Sequence, residues 1–225
     1  MPITQVGTGT GAAGTYGTGF NVAAPGTLAA SDVVVVALRT EKSSAHSFSA
    51  PAGFTEIVND IDTANNVTAL HVFVGDGFTG SGSFAFTATG LVSGDWVART
   101  CTAWSGTSLS DYVLGTLYSA SPGGANFDIP GVTTTSDNAE LLCLGAQTFT
   151  AGPRTYSPTM TTQVHSDACY QASRAVATAG ASGVTTVTNT AFVSAVFVHL
   201  ALHETPSSLP SPPLRRHPRL GLITR

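Results

Sequence analysis

The stretch Ser83-Phe84-Ala85-Phe86-Thr87 puts two phenylalanines on one side of an extended chain and small residues on the other, the period-two pattern of a strand with one buried face. In residues 191–203 both alternating sets are largely apolar. Phe192, Ser194, Val196, Val198, Leu200 and Leu202 oppose Val193, Ala195, Phe197, His199, Ala201 and His203. That is the pattern of a central strand covered on both faces. Working outward, residues 33–40, 68–74, 83–89, 95–104, 139–149 and 168–178 read as further strands, with weaker runs at 3–8, 15–22, 54–58, 127–134 and 160–165. No stretch of about twelve residues keeps helical spacing free of glycine and β-branched clusters. About twelve short strands divided by Gly, Pro, Asn and Asp predict an all-β fold, a jelly-roll-like antiparallel β-sandwich.

The punctuation supports this. Ser31-Asp32, Gly94-Asp95 and Ser136-Asp137 each precede a strong apolar run. An aspartate there accepts backbone N–H groups, reverses the chain and launches a strand. Composition agrees. The 225 residues are 42% apolar and only 10% charged, against about 25% charged in an average soluble domain. Disordered chains combine low hydrophobicity with high charge, so disorder is excluded. Ser, Thr, Gly and Ala take the exposed positions, giving neutral, hydroxyl-rich surfaces suited to packing against copies of themselves.

Charge divides the chain in two. Residues 1–205 hold thirteen acidic residues against five basic ones (Arg39, Lys42, Arg99, Arg154, Arg174), a net charge of −8. Residues 206–225 hold Arg215, Arg216, Arg219 and Arg225 and no acid, a net charge of +4. The domain reading is a β-sandwich body over 1–205 and an extended, Pro/Arg-rich C-terminal arm over 206–225. The arm opens with a proline-rich run that favours polyproline II. It then carries Leu214, Leu220, Leu222 and Ile223, which a solvated tail does not need. With Arg215, Arg216, Arg219 and Arg225 they form the expected partner-binding arm, docking on an acidic neighbour such as another copy of the body.

An acidic body repels phosphate, so nucleic acid is not expected as a partner. The apolar run 191–202 is interrupted by Ser194 and His199 and is too short to span a bilayer, so no membrane is expected. The start of the chain has neither the basic nor the apolar region of a secretory signal, which predicts folding in a cytoplasm. Cys101, Cys143 and Cys169 fall inside apolar runs and read as buried free thiols, with one disulfide left open by their number.

Motifs for chemistry are weak. Gly9-Thr10-Gly11-Ala12-Ala13-Gly14 matches G-x-G-x-x-G, but poor helix formers follow it, and it reads as a Gly-rich loop between two edge strands. Asp60, Asp62, Asn65 and Asn66 could offer oxygens to Ca²⁺, yet they lack the fixed glycine and distal glutamate of a calcium loop and read as turn residues. Asn66-Val67-Thr68 is a glycosylation sequon. His199 and His203 share a strand face but have no third ligand in sight, so they read as core or interface histidines. No nucleophile elbow and no pair of acids with separated pKa values can be found. Trp96, Trp104, Tyr112, Tyr118 and Tyr156 could stack sugars, although Trp96 and Trp104 share strand parity and are expected to face the core. No catalytic residue, metal or cofactor is predicted.

Several pieces in order resemble the β-sandwich module of tailed-bacteriophage virion proteins. They are Ser31-Asp32-Val33-Val34-Val35-Val36-Ala37-Leu38, Pro51-Ala52-Gly53-Phe54-Thr55-Glu56-Ile57 and Leu70-His71-Val72-Phe73-Val74. Phe84-Ala85-Phe86-Thr87-Ala88 and residues 96–104, followed by Ser105-Gly106, complete the set. The resemblance covers about residues 30–150 and implies a virion structural part, either a capsid decoration or head-fibre protein or a minor tail protein. It brings no active-site residue with it. The expected function is therefore non-enzymatic. The chain self-associates as a trimer or higher ring and docks on other virion proteins through its arm, after synthesis in a bacterial cytoplasm. The alternative is a host-surface adhesin whose loops bind glycan.

Overall fold

A computed structural model of the protein describes residues 2–41, 45–61, 68–120, 126–148, 154–188 and 194–205. All regular elements among them are antiparallel β-strands. The first nine are β1 (Thr4–Gln5), β2 (Thr10–Thr15), β3 (Phe20–Ala23), β4 (Val33–Thr40), β5 (Ser47–Ser49), β6 (Phe54–Ile61), β7 (Ala69–Gly75), β8 (Ser83–Thr89) and β9 (Trp96–Ser105). Then follow β10 (Thr107–Leu114), β11 (Tyr118–Ala120), β12 (Asn126–Ile129), β13 (Thr133–Thr134), β14 (Ala139–Gln147), β15 (Thr155–Ser157), β16 (Thr161–Ser166), β17 (Cys169–Val176), β18 (Gly180–Ala181), β19 (Thr185–Thr188) and β20 (Ala195–Glu204).

The same architecture is built twice. In the first unit a large sheet runs β1-β9-β4-β7-β6, with β2 also on β9, and a small sheet runs β3-β8-β5. In the second the large sheet runs β10-β20-β14-β17-β16, with β11 also on β20, and the small sheet runs β12-β19-β15. Pairing is nested in both. β2 meets β9, β3 meets β8 and β4 meets β7, while β11 meets β20, β12 meets β19, β13 meets β18 and β14 meets β17. The bridge Leu28↔Gly80 stands where the second unit has β13 and β18. Nested pairing is what a long hairpin gives when it folds over into two sheets.

A shared irregularity fixes the match. β6 bulges between Glu56 and Val58 opposite Phe73 and Val72, and β16 bulges between Thr162 and Val164 opposite Ala172 and Gln171. Val72 therefore corresponds to Gln171 and His71 to Tyr170. Through the register of the neighbouring strands, Leu38 corresponds to Gly145 and Thr40 to Gln147.

The two large sheets pack face to face, so the layers run small, large, large, small. Val33, Val35 and Ala37 of β4 face the second unit and meet a core that includes Leu142, Leu144, Val196, Val198, Leu200 and Leu202. Val34, Val36 and Leu38 face the small sheet and meet Tyr16, Val22, Phe48, Phe84 and Phe86. The outer core of the second unit, with Phe127, Ile129, Tyr156 and Val187, is its counterpart. Because both faces of β4 are covered, all eight of its residues are buried, and Val-Val-Val-Val needs no polar alternation. β20 is likewise flanked on both sides and buried from Ala195 to His203, as its two apolar sets predict.

The runs 33–40 and 83–89 are β4 and β8 themselves, and the other strong runs overlap β7, β9, β14, β17 and β20. Asp32 and Asp95 each accept the N–H of the residue three before, at 2.8 Å from Ala29 and Val92. Asp137 instead accepts from Ala179 N at 2.7 Å, tying two loops. Two expectations are corrected. Gly9–Gly14 is not a loop: Thr10–Thr15 is β2, paired along β9 from Cys101 to Trp96. Its small residues are needed because β16 crosses it, and a Cβ on Gly11 would come within 3.1 Å of His165 O, Ser166 and Val164. Trp104 is 3% exposed and faces the central core, but Trp96 is 36% exposed. The two do share a face; Trp96 lies at the start of β9, beyond the core, where its indole N–H donates to the Asp167 carboxylate.

Candidate functional site

Of the residues expected to bind a partner, Leu214, Arg215, Arg216, Arg219, Leu220, Leu222, Ile223 and Arg225 all lie outside the described residues. The root of the arm is described. β20 ends at Glu204, and Thr205 N donates to Gly106 O at 2.8 Å, at the turn joining β9 to β10. Thr4 Oγ1 and Ser105 Oγ, 2.7 Å apart, hold β1 to the same turn. The chain thus leaves the body where the two units join.

That end also carries a groove of about 560 Å³. Leu28 and Phe84, both buried, and half-buried Phe78 form its apolar floor. Thr79, Ser81 and Ser83 give it a neutral hydroxyl rim. Phe54, Phe78 and Phe84 pack together with ring centroids 4.6 to 5.0 Å apart, which fixes the floor. Asp76 is exposed two residues before Phe78.

The opposite end carries matched polar clusters, one per unit. In the first, His71 Nδ1 donates to Glu56 Oε1 at 2.8 Å and its Nε2 points toward His46. His46 Nε2 faces that atom at 3.1 Å and lies 2.8 Å from Thr40 Oγ1. Phe48 closes on both imidazoles edge to face. In the second unit Gln147 replaces Thr40, Tyr170 replaces His71, and Tyr156 holds the middle of β15 as Phe48 does in β5. Arg154 lies over the Tyr170 ring at 3.4 Å and donates to Gln147 Oε1. Burial lowers the Arg154 pKa and raises that of Tyr156. Each cluster binds a short small-sheet strand to the large sheet. Sequence reading passed over His46, His71 and Glu56. The available signal was His71 itself, an ionisable residue in the fully buried run of β7.

Between the units runs a directed chain of hydrogen bonds. Trp104 Nε1 donates to Thr102 Oγ1 (3.0 Å), which donates to Gln171 Oε1 (2.7 Å). Gln171 Nε2 donates to Val35 O (3.2 Å) and to Thr100 Oγ1 (3.1 Å). Thr100 Oγ1 lies 3.6 Å from Cys169 Sγ, whose thiol donates to Ala37 O (3.4 Å). Buried Arg39, 1% exposed, ties the far end by donating to Asp167 O (3.1 Å) and to Glu41.

The other predicted residues separate. Cys101, Cys143 and Cys169 are buried free thiols. Burial pushes Cys101 and Cys169 up to about 12 and raises Cys143 as well. His199 and His203 are buried and engage different partners. His199 Nδ1 donates to Pro130 O at 2.8 Å, and burial lowers its pKa. His203 Nδ1 donates to Asp111 at 3.0 Å. Asp60 lies in β6, whereas Asp62, Asn65, Asn66 and Val67 lie outside the described residues. Among the described residues no group of three His, Cys, Asp or Glu side chains is placed to hold a metal ion. The five aromatics form no common platform: Trp104 and Tyr156 are buried, and Tyr118 stacks on Phe127. No helix among the described residues is long and apolar enough to cross a membrane. No protein-family model matches the chain, and neither a curated protein nor a solved structure matches it.

Proposed function

We propose that the chain is a non-enzymatic structural subunit of a particle, of the tailed-phage virion kind, as a capsid decoration or head-fibre protein or a minor tail protein. One observation carries the reading. A −8 body of two sandwiches packed back to back ends at Thr205, beside the turn that joins them, and the sequence continues as a +4 segment containing Leu and Ile. Rigid sandwiches with neutral, hydroxyl-rich strands suit side-by-side packing in a trimer or larger ring, and each added contact stabilises the fold by mass action. The segment 206–225 is the tether to a neighbouring copy or to another virion protein. Synthesis takes place in a bacterial cytoplasm and the working location is the virion. Deleting residues 206–225 is expected to leave the circular dichroism of the body unchanged while abolishing self-association by light scattering and incorporation into particles. Normal incorporation of the truncated chain refutes the tether.

A second reading, binding of a host-surface glycan, has the groove over Phe78 and Phe84 in its favour. A phenyl floor with a rim of Thr and Ser hydroxyls can stack and hydrogen-bond a sugar ring. A glycan array on the purified protein decides that reading: a signal lost on substituting Phe78 supports it, and a blank array removes it.

A further inference from the structure

Resting on the tether reading, we infer that the groove of the first unit is the receptor for the Leu220-Gly221-Leu222-Ile223 segment of a neighbouring copy. Three observations on the body and one on the chain converge. The floor of Leu28, Phe78 and Phe84 is apolar and rigid, so it gains from covering by aliphatic side chains without having to rearrange. The groove lies at the end of the body from which the chain departs. β9 ends at Ser105, β4 begins and β7 ends at this end, since Val33 pairs with Trp104 and Val34 with Gly75. Asp76, two residues before Phe78, is exposed on a body of net charge −8, while Arg215, Arg216 and Arg219 lie just before Leu220. Opposite charges therefore bring the two surfaces together before the apolar side chains seat.

The composition of the linker favours a neighbour's groove over a copy's own. The fourteen residues 206–219 that precede Leu220 span at most about 50 Å, more than the roughly 33 Å of the ten-residue strand β20. Pro206, Pro210, Pro212 and Pro213 favour extension at about 3.1 Å per residue. They carry the segment away from its root before the leucines arrive, which suits a groove on the next copy.

The test is a cross-link between full-length chains. L222C protein is mixed with A85C protein, whose new thiol lines the groove at an exposed position, under mild oxidation. The control partner is V184C, exposed on the other unit. Disulfide-linked dimers of L222C with A85C are expected to form about tenfold faster than with V184C, the gain that a millimolar effective concentration confers. The full-length variant L220S/L222S/I223S should also lose the oligomeric mass of the parent in light scattering. Equal rates with A85C and V184C overturn the groove assignment. If deletion of 206–225 still dissociates the oligomer in that case, the tether reading survives without it. A double variant A85C/L222C that closes only within its own chain overturns docking on a neighbour. A glycan-array signal abolished by A85W, without any L222C cross-link, assigns the groove to sugar instead. Oligomeric mass unchanged by the deletion refutes both the tether and its receptor.

Discussion

Replacing Gln171 by leucine should weaken the protein far more than its conservative volume suggests. The Gln171 amide closes a path of donors and acceptors from Trp104 to Ala37 across the central core. Leucine removes the acceptor from the Thr102 hydroxyl and the donor from Thr100 Oγ1, and both threonines are fully buried. An unmet buried polar group costs about 1–3 kcal/mol. Thr102 still accepts from Trp104 and Thr100 still faces Cys169, so the lower part of the range applies to each, about 2–4 kcal/mol together. In a body of this size that lowers Tm by about 4–16 °C. The decisive arm is Q171L/T100V, in which Thr100 becomes apolar together with Gln171 while Thr102 still accepts from Trp104. It should recover about the Thr100 share of the loss, because replacing both partners of a hydrogen bond by apolar groups of similar shape is nearly neutral. Urea unfolding followed by tryptophan fluorescence gives both numbers. If Q171L costs under about 0.5 kcal/mol, or the double variant is weaker than the single one, the network is not what joins the units.

Gly145→Ala places a Cβ 2.1 Å from the ring of buried Phe197, so about 1–3 kcal/mol or more should be lost, with recovery in G145A/F197L; a neutral G145A refutes the packing. His199 has its pKa lowered by burial, and its Nε2 has no hydrogen-bond partner among the described residues. Below about pH 6.5 the unfolded chain binds a proton that the native state refuses, so stability falls as pH drops, by up to about 1.4 kcal/mol per pH unit. The slope should flatten in H199Q, and an unchanged slope removes His199 as its source. With Cys101 and Cys169 pushed up to about 12, the native protein should not react with a thiol reagent at pH 8, whereas the denatured chain should titrate three thiols. Residues 1–106 expressed alone should dimerise or aggregate through the bared face of Val33, Val35, Leu70 and Val72; a stable monomer contradicts the shared core.

The fold class was legible because strands announce themselves through alternation and turn chemistry. Phe84 and Phe86 alternate with small residues because β8 has one exposed face, and the Asp32 and Asp95 turns follow from side-chain reach alone. The strands read least well were the shortest and those poorest in side chains. β5 and β15 are three residues long and show little period, and β2 is poor in side chains because β16 passes over it. Trp96 misled because parity tells which face a residue takes, not whether the core extends that far. The His46–His71–Glu56 cluster draws on β6, β7 and the residue just before β5, and no spacing along the chain brings it together.

The duplication escaped the sequence for a related reason, and that reason says what each half is selected to keep. Equivalent positions keep their burial rather than their size or identity. Leu38 matches Gly145, whose missing side chain is replaced in space by the Phe197 ring from the neighbouring strand. Thr40 and His71 match Gln147 and Tyr170, so a His–Glu pair and an Arg–Tyr pair fasten the same two layers by different chemistry. The central faces differ more subtly. Val72 in one unit stands where Gln171 stands in the other, so only the second unit sends a polar amide into carbonyls and hydroxyls of its neighbour. Two identical units could not make that contact in both directions with Val72 as it stands. The back-to-back arrangement is therefore specified by asymmetry at its centre, and the two halves are fitted to each other rather than interchangeable.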